Sequence, residues 1–215
     1  MKTLMLAFVL LYTLSISIQP LLVAADSSPK EVVDTSGKIL RAGTNYYILP
    51  AVPITRCRVP NGRCRIQQAG FSLASVGEYC PLDVVVVERY QAQPVTFTPI
   101  NPKKGVIRIS TDLNIQFCGY SKCPQSTVWK LDRFDYSSKQ WFVTTGGIVG
   151  KPGWETINNW FKIEECDGDY KLVYCPSVCK SCKHLCRNVG MFVDQNGNRR
   201  VALTDAPYKV KFQKA

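Results

Sequence analysis

The sequence predicts an all-β fold, either a closed barrel or a two-sheet sandwich, and three observations predict it. Short runs rich in Val, Ile, Tyr, Phe and Trp recur along the whole chain, and many alternate apolar with polar residues at period two. Clusters of Gly, Pro, Asn and Asp separate these runs. No stretch longer than about ten residues keeps a helical period. Evenly spaced short strands joined by such turns belong to barrels and sandwiches.

In chain order the runs are YYIL (46–49), DVVVV (83–87), VIRIS (106–110), LNIQF (113–117), TVWKL (127–131), QWFVTT (140–145), WFKIEE (160–165), YKLVY (170–174) and VGMFV (189–193). The turns between them include DTSG (34–37), PNGR (60–63), TGG (145–147), GKPG (150–153), DGD (167–169) and DQNGN (194–198). An aromatic-x-apolar start recurs at Tyr46-Tyr47-Ile48, Trp129-Lys130-Leu131 and Tyr170-Lys171-Leu172. Its spacings of 83 and 41 residues are too uneven to establish a threefold repeat. The segment Ala51 to Tyr79, with Pro53, Pro60, Gly62, Gly70 and Gly77, reads as long surface loops flanking short strands.

The chain opens with Met1 and Lys2, runs uncharged from Thr3 to Ala25, and ends that run in two small residues. This is the pattern of a secretory signal peptide cut before Asp26, so residues 1–25 are expected to be removed. Ser15, Ser17, Gln19 and Pro20 interrupt the apolar stretch, which argues against a membrane span, and no second run approaches that length. No linker or low-complexity segment divides residues 26–215, which are expected to form a single domain behind the leader.

Of the net charge of +11, the leader supplies one Lys, leaving +10 on the mature chain. Such a surface attracts acidic partners, but the charges are scattered and secretion argues against nucleic acid. The mature chain has no Asn-x-Ser/Thr site for N-glycosylation. No cofactor motif is present.

Ten cysteines behind a secretory leader are read first as disulfides. Cys175, Cys179, Cys182 and Cys186 lie close enough to hold zinc in a reducing compartment, whereas in an oxidising one they make two nested bridges. His184 inside this cluster reads as an exposed polar residue, and no nucleophile arrangement supports an enzyme.

The N-terminal pattern Val32-x-Asp34-x-x-Gly37-Lys38-x-Leu40, then five residues, then Tyr46-x-Ile48, resembles the signature of the plant Kunitz-type (soybean trypsin inhibitor) family. CPLDVV (80–85), STDLNIQF (110–117), STVWKLD (126–132), NWFKIEE (159–165), YKLVYCP (170–176) and RRVALTD (199–205) carry the resemblance across the mature chain. GTNYYI (43–48), the NPK loop (101–103) and the 175–186 cysteines are most similar to its miraculin-like branch. The resemblance implies a disulfide-stabilised β-trefoil, a six-stranded barrel capped by three hairpins. It also implies bridges Cys80–Cys123, Cys175–Cys186 and Cys179–Cys182, the first expected to steady the flanks of the binding loop. Cys57, Cys64, Cys118 and Cys166 fall outside that set. Cys57 with Cys64, Cys118 with Cys166, and a dimer linked through Cys166 all stay open.

Members of the family inhibit serine endopeptidases by presenting an extended, preorganised loop that the enzyme binds as a substrate. The matching segment is Pro99-Ile100-Asn101-Pro102-Lys103-Lys104-Gly105, whose two prolines bias the backbone toward extended conformations. The resemblance places Lys103 at the primary specificity position, flanked by Pro102 and Lys104, where a Lys suits a trypsin-like pocket. Two departures weaken that expectation. Lys104 follows where an apolar residue is usual, and Ala42 stands where an Asn props the loop. The expected activity is therefore weak-to-moderate protease inhibition by a secreted, apoplastic or vacuolar defence protein. The alternatives are inhibition of papain-like cysteine proteases and a non-inhibitory binding or storage role. A single histidine argues against acid-triggered switching.

Overall fold

In the computed structural model, residues 28–58 and 63–215 are described, without the side chains of 54–58, 63–67 and Lys104. The leader expected over residues 1–25 lies outside the described residues. Three times over, the chain lays down a barrel strand, a hairpin, and a second barrel strand. The first unit comprises β1 (Tyr46–Pro50), an inserted hairpin of β2 (Ile54–Arg58) and β3 (Arg63–Gln67), then β4 (Ala69–Ala74), β5 (Asp83–Glu88) and β6 (Val95–Pro99). The second is β7 (Leu113–Phe117), β8 (Lys130–Asp135), β9 (Gln140–Thr144) and β10 (Lys162–Cys166). The third is β11 (Asp169–Tyr174), β12 (Arg187–Val193), β13 (Arg199–Thr204) and β14 (Lys209–Lys214).

Pairing closes the outer strands of each unit into a ring of six. β14 pairs with β1, β1 with β6, and β6 with β7. The bridge Leu113↔Phe161 joins β7 to the entry of β10, β10 pairs with β11, and β11 returns to β14. The inner hairpins meet one another through Arg200↔Val85, Ala202↔Phe142 and Asp83↔Thr144. Six barrel strands under three mutually paired hairpins make a β-trefoil. Closure leaves the ring without a free edge, which removes the usual route to edge-to-edge aggregation.

Strand alternation fills the barrel. In β6 the side chains of Val95, Phe97 and Pro99 are buried while Thr96 and Thr98 are only half-buried. Trp129, wholly buried, stacks with Phe71 of β4 at 5.8 Å and meets Phe117 and Phe161 at 5.9 Å each. One indole thus ties the cap to two barrel positions. The other end of the barrel is plugged by the N-terminal segment, whose Val32 N–H donates to Ile107 O at 3.0 Å. Ile107 N–H in turn donates to Leu40 O at 3.0 Å, and all three side chains are fully buried.

Several sequence expectations change in register or kind. VIRIS forms no ladder strand: Val106 and Arg108 make isolated antiparallel bridges to Arg41 and Glu31, because the partner changes at Ile107, which accepts from Val32 and donates to Leu40. The strand expected at 127–131 runs from Lys130 to Asp135, since Thr127 to Trp129 bind back to Phe117 and Ile115. The aromatic echo is half structural. Tyr46 and Tyr170 lie on β1 and β11, the opening barrel strands of units one and three, but Trp129 immediately precedes a cap strand. The matching strand in unit two is β7. The Ala51–Tyr79 segment holds three strands, and β4 is integral to the cap. Gly70 hides that strand from propensity. A Cβ there would come within 2.5 Å of the Ala92 Cβ, so the site needs glycine for close approach.

Candidate functional site: an exposed loop at the plugged end of the barrel

β6 ends on buried Pro99, and the chain then emerges into solvent through Ile100, Asn101, Pro102 and Lys103, all exposed. Pro102–Lys104 forms one turn of 3-10 helix, ended by Gly105 at φ +61°. This corrects the extended shape expected for the whole loop. A proline φ near −65° suits the first position of a helical turn as well as an extended chain. Gly105 supplies the left-handed residue that lets so short a turn close, its N–H donating to Pro102 O at 3.1 Å.

Both flanks of the turn are held by backbone hydrogen bonds. On the entry side Ile100 N–H donates to Asp112 O at 2.9 Å. On the exit side Ala42 N–H donates to Gly105 O at 3.1 Å, and Arg41 bridges Val106. Ala42 has no side chain with which to reach the loop tip, so its contribution is confined to the main chain. Lys103 therefore sits on a tip whose base is fixed by main-chain hydrogen bonds.

Asp112 anchors the entry flank, and sequence reasoning passed over it. Its carboxylate is 3% exposed and accepts from the Ser177 N–H at 3.1 Å and from the Ser177 hydroxyl. Lys162 Nζ stands 3.8 Å away and balances the charge. Ser177 lies two residues after Cys175, inside the segment that the Cys175–Cys186 disulfide closes. The loop base thus leans on that bridge. An acidic residue directly before an apolar strand was the available signal, but its partner is 65 residues away.

Cys80–Cys123 and Cys179–Cys182 are also bonded. The first does not steady the loop flanks as expected. The loop follows the Pro99↔Leu113 end of the β6–β7 hairpin, whereas Cys123 lies beyond Phe117, which pairs with Val95 at the other end. About 13 Å of strand separates the two ends. Cys179–Cys182 and Cys175–Cys186 occupy the cluster in which zinc was the alternative. His184 and the sulfurs of Cys175 and Cys186 lie within 4.8 Å of one another, but a disulfide offers no thiolate to a metal. His184 is exposed, its Nδ1 3.1 Å from Cys182 O.

Cys118 and Cys166 are free thiols, so the pairing between them is not made. Burial pushes the Cys118 thiol upward, and it lies 3.2 Å from Asn45 Oδ1. In the β2–β3 hairpin the backbone register sets Cys57 directly opposite Cys64.

At the start of the plug, Asp34 explains much of the N-terminal motif. Its Oδ1 accepts from Ser36 N–H at 2.8 Å, Ser36 Oγ at 2.7 Å and Lys38 N–H at 3.0 Å. Burial acts to raise its pKa, yet these hydrogen bonds outweigh it and hold the carboxyl below its ordinary value. Gly37, at φ +77°, completes the turn that carries the chain toward Arg41 and the loop.

Comparison with known proteins matches residues 32–214 to the Kunitz legume family model, described as trypsin and protease inhibitor. The chain is 46% identical over 211 residues to miraculin of Synsepalum dulcificum, covering 94% of this chain and 90% of that one. It is 40% identical over 196 residues to Kunitz trypsin inhibitor 5 of Arabidopsis thaliana, covering 90% of each. Among solved structures, the Kunitz-type cysteine protease inhibitor from potato superposes with a TM-score of 0.69 at 29% identity, over 87% of this chain and 98% of that one. Matched from Val32 to the last strand, with the trefoil of that family and its disulfides, the chain belongs to the Kunitz legume family of trypsin and protease inhibitors.

Proposed function

We propose that the protein is a secreted protease inhibitor that offers Lys103 to the specificity pocket of a trypsin-like serine endopeptidase, with weak-to-moderate strength. The supporting observation is the exposed Lys103 on a tip whose two flanks are pinned by the Ile100–Asp112 and Ala42–Gly105 hydrogen bonds. A pinned base lowers the entropy lost on docking, and an exposed Lys can desolvate against a buried carboxylate only when the pocket closes over it. The helical turn at Pro102–Lys104 must open for the enzyme to read the segment as a substrate strand, and that reorganisation limits affinity. Ala42 and Lys104 limit it further. In this reading the chain is a defence protein of the apoplast or vacuole, binds its target without turning it over, and performs no chemistry itself.

The test is titration of the oxidised mature protein against trypsin, chymotrypsin and papain, with Lys103→Ala alongside. Stoichiometric trypsin inhibition, weakened about 100-fold by Lys103→Ala, is expected. Inhibition of papain alone, indifferent to Lys103→Ala, would move the site to another loop and the target to cysteine proteases. The potato neighbour, a cysteine protease inhibitor by name, makes that arm worth running. Silence against all three enzymes would leave a non-inhibitory binding or storage role.

A further inference from the structure

A groove of about 630 Å³ opens over the hairpin cap, at the opposite end of the trefoil from residues 99–105. That volume is in the range that accepts a small organic molecule. One wall is aromatic. Phe134 lies 5.3 Å from Trp141 and 5.2 Å from Tyr136, and Tyr136 is 84% exposed. A β-bulge builds this wall. Leu131 pairs with Val143 but Phe134 pairs with Trp141, so three steps on β8 oppose two on β9. The extra residue re-aims the strand out of the core packing, as bulges beside binding sites do.

The floor is a closed ion pair. Arg200 donates to Asp83 Oδ1 at 2.6 Å and lies 3.4 Å over the Phe142 ring. Asp83 Oδ2 takes the N–H groups of Val76 and Gly77. Asp135 is likewise occupied, by Ser137 and Ser138. The lining carboxylates of Glu78 and Asp132 remain. Among the described residues Glu78 has no ion pair, and Asp132 accepts only from the N–H of its neighbour Arg133. Four carboxylates against Arg133 and Arg200 leave this lining negative, on a chain whose net charge is +11.

We propose that this groove is a second binding site, for a small organic cation of the alkylammonium class. The ammonium would sit against the faces of Tyr136 and Trp141, with Glu78 and Asp132 as counter-charges. An aromatic face attracts a cation through its quadrupole, and the effect grows when the cation is partly desolvated. A neutral ligand would gain the stacking but nothing from the uncompensated carboxylates. The site is independent of the protease-binding loop, so either assignment can fail alone.

The test is calorimetric titration of the oxidised protein with choline, with its uncharged isostere (carbon in place of the quaternary nitrogen) and with glucose. Saturable choline binding, about tenfold tighter than the isostere, is expected. Glu78→Gln with Asp132→Asn, and separately Tyr136→Ala, should each weaken choline binding by about tenfold and leave protease inhibition unchanged. Glu78 and Tyr136 are exposed, so folding is not at stake there. Equal binding of choline and isostere, tighter binding of glucose, or no saturable choline binding would each overturn the proposal.

Discussion

Trp129 is where the barrel and its cap share one side chain. Its ring is fully buried among Phe71, Phe117 and Phe161, while its Nε1 finds no hydrogen-bond partner among the described residues. The apolar contacts therefore outweigh an orphaned donor, since a buried unsatisfied group costs about 1–3 kcal/mol. Trp129→Ala should destabilise the fold by about 3–5 kcal/mol in urea denaturation. Trp129→Phe keeps most of the ring contacts and removes the orphan, so its cost should be clearly smaller. Equal losses for the two variants would contradict this account. At this scale the sequence was informative about chemistry but not about support. Lys103 and Ala42 could be read in place, whereas Asp112 and Ser177 are linked only by the fold.

The disulfides separate stability from loop support at the level of elements. Cys80–Cys123 closes a separation of 43 residues and Cys175–Cys186 one of 11. Loop-closure entropy then assigns them about 4 and about 3 kcal/mol respectively. The shorter bridge, however, carries Ser177 to Asp112 and so to Ile100, at the base of the exposed tip. Replacing Cys80 and Cys123 by Ser should lower the thermal midpoint more, and replacing Cys175 and Cys186 by Ser should weaken protease inhibition more. Parallel losses of midpoint and inhibition in both pairs would remove the Asp112 linkage. Most strands could be read from alternation, because half-buried strands write period two into the sequence. β4 and the VIRIS segment could not. The first depends on a glycine tolerated for close packing, the second on a partner that changes midway, from the residues around Glu31 to those around Arg41.

For the whole molecule, acid should act through carboxylates locked into turns. The Ser137 hydroxyl, with the N–H groups of Ser137 and Ser138 and the Ser138 hydroxyl, holds Asp135 down at about 2, and Asp34 and Asp194 are also lowered. A carboxyl whose pKa is lower in the folded state stabilises it above the unfolded value, and that stability disappears as pH falls through the folded value. The urea midpoint should therefore hold from neutrality down to about pH 4 and fall between about 4 and about 2. Asp135→Asn should flatten part of that fall, and an unchanged slope would refute its role. The sequence by itself determined the all-β class, the inward-facing positions of most strands and, through its motifs, the family. These are local or periodic properties, carried by residues near one another in the chain. Tertiary structure alone decided that the base of the loop leans on the 175–186 segment, and that carboxylates of the first two hairpins, aromatic rings of the second and Arg200 of the third meet in one groove. Those arrangements join residues tens of positions apart, and only closure of the barrel brings them within contact.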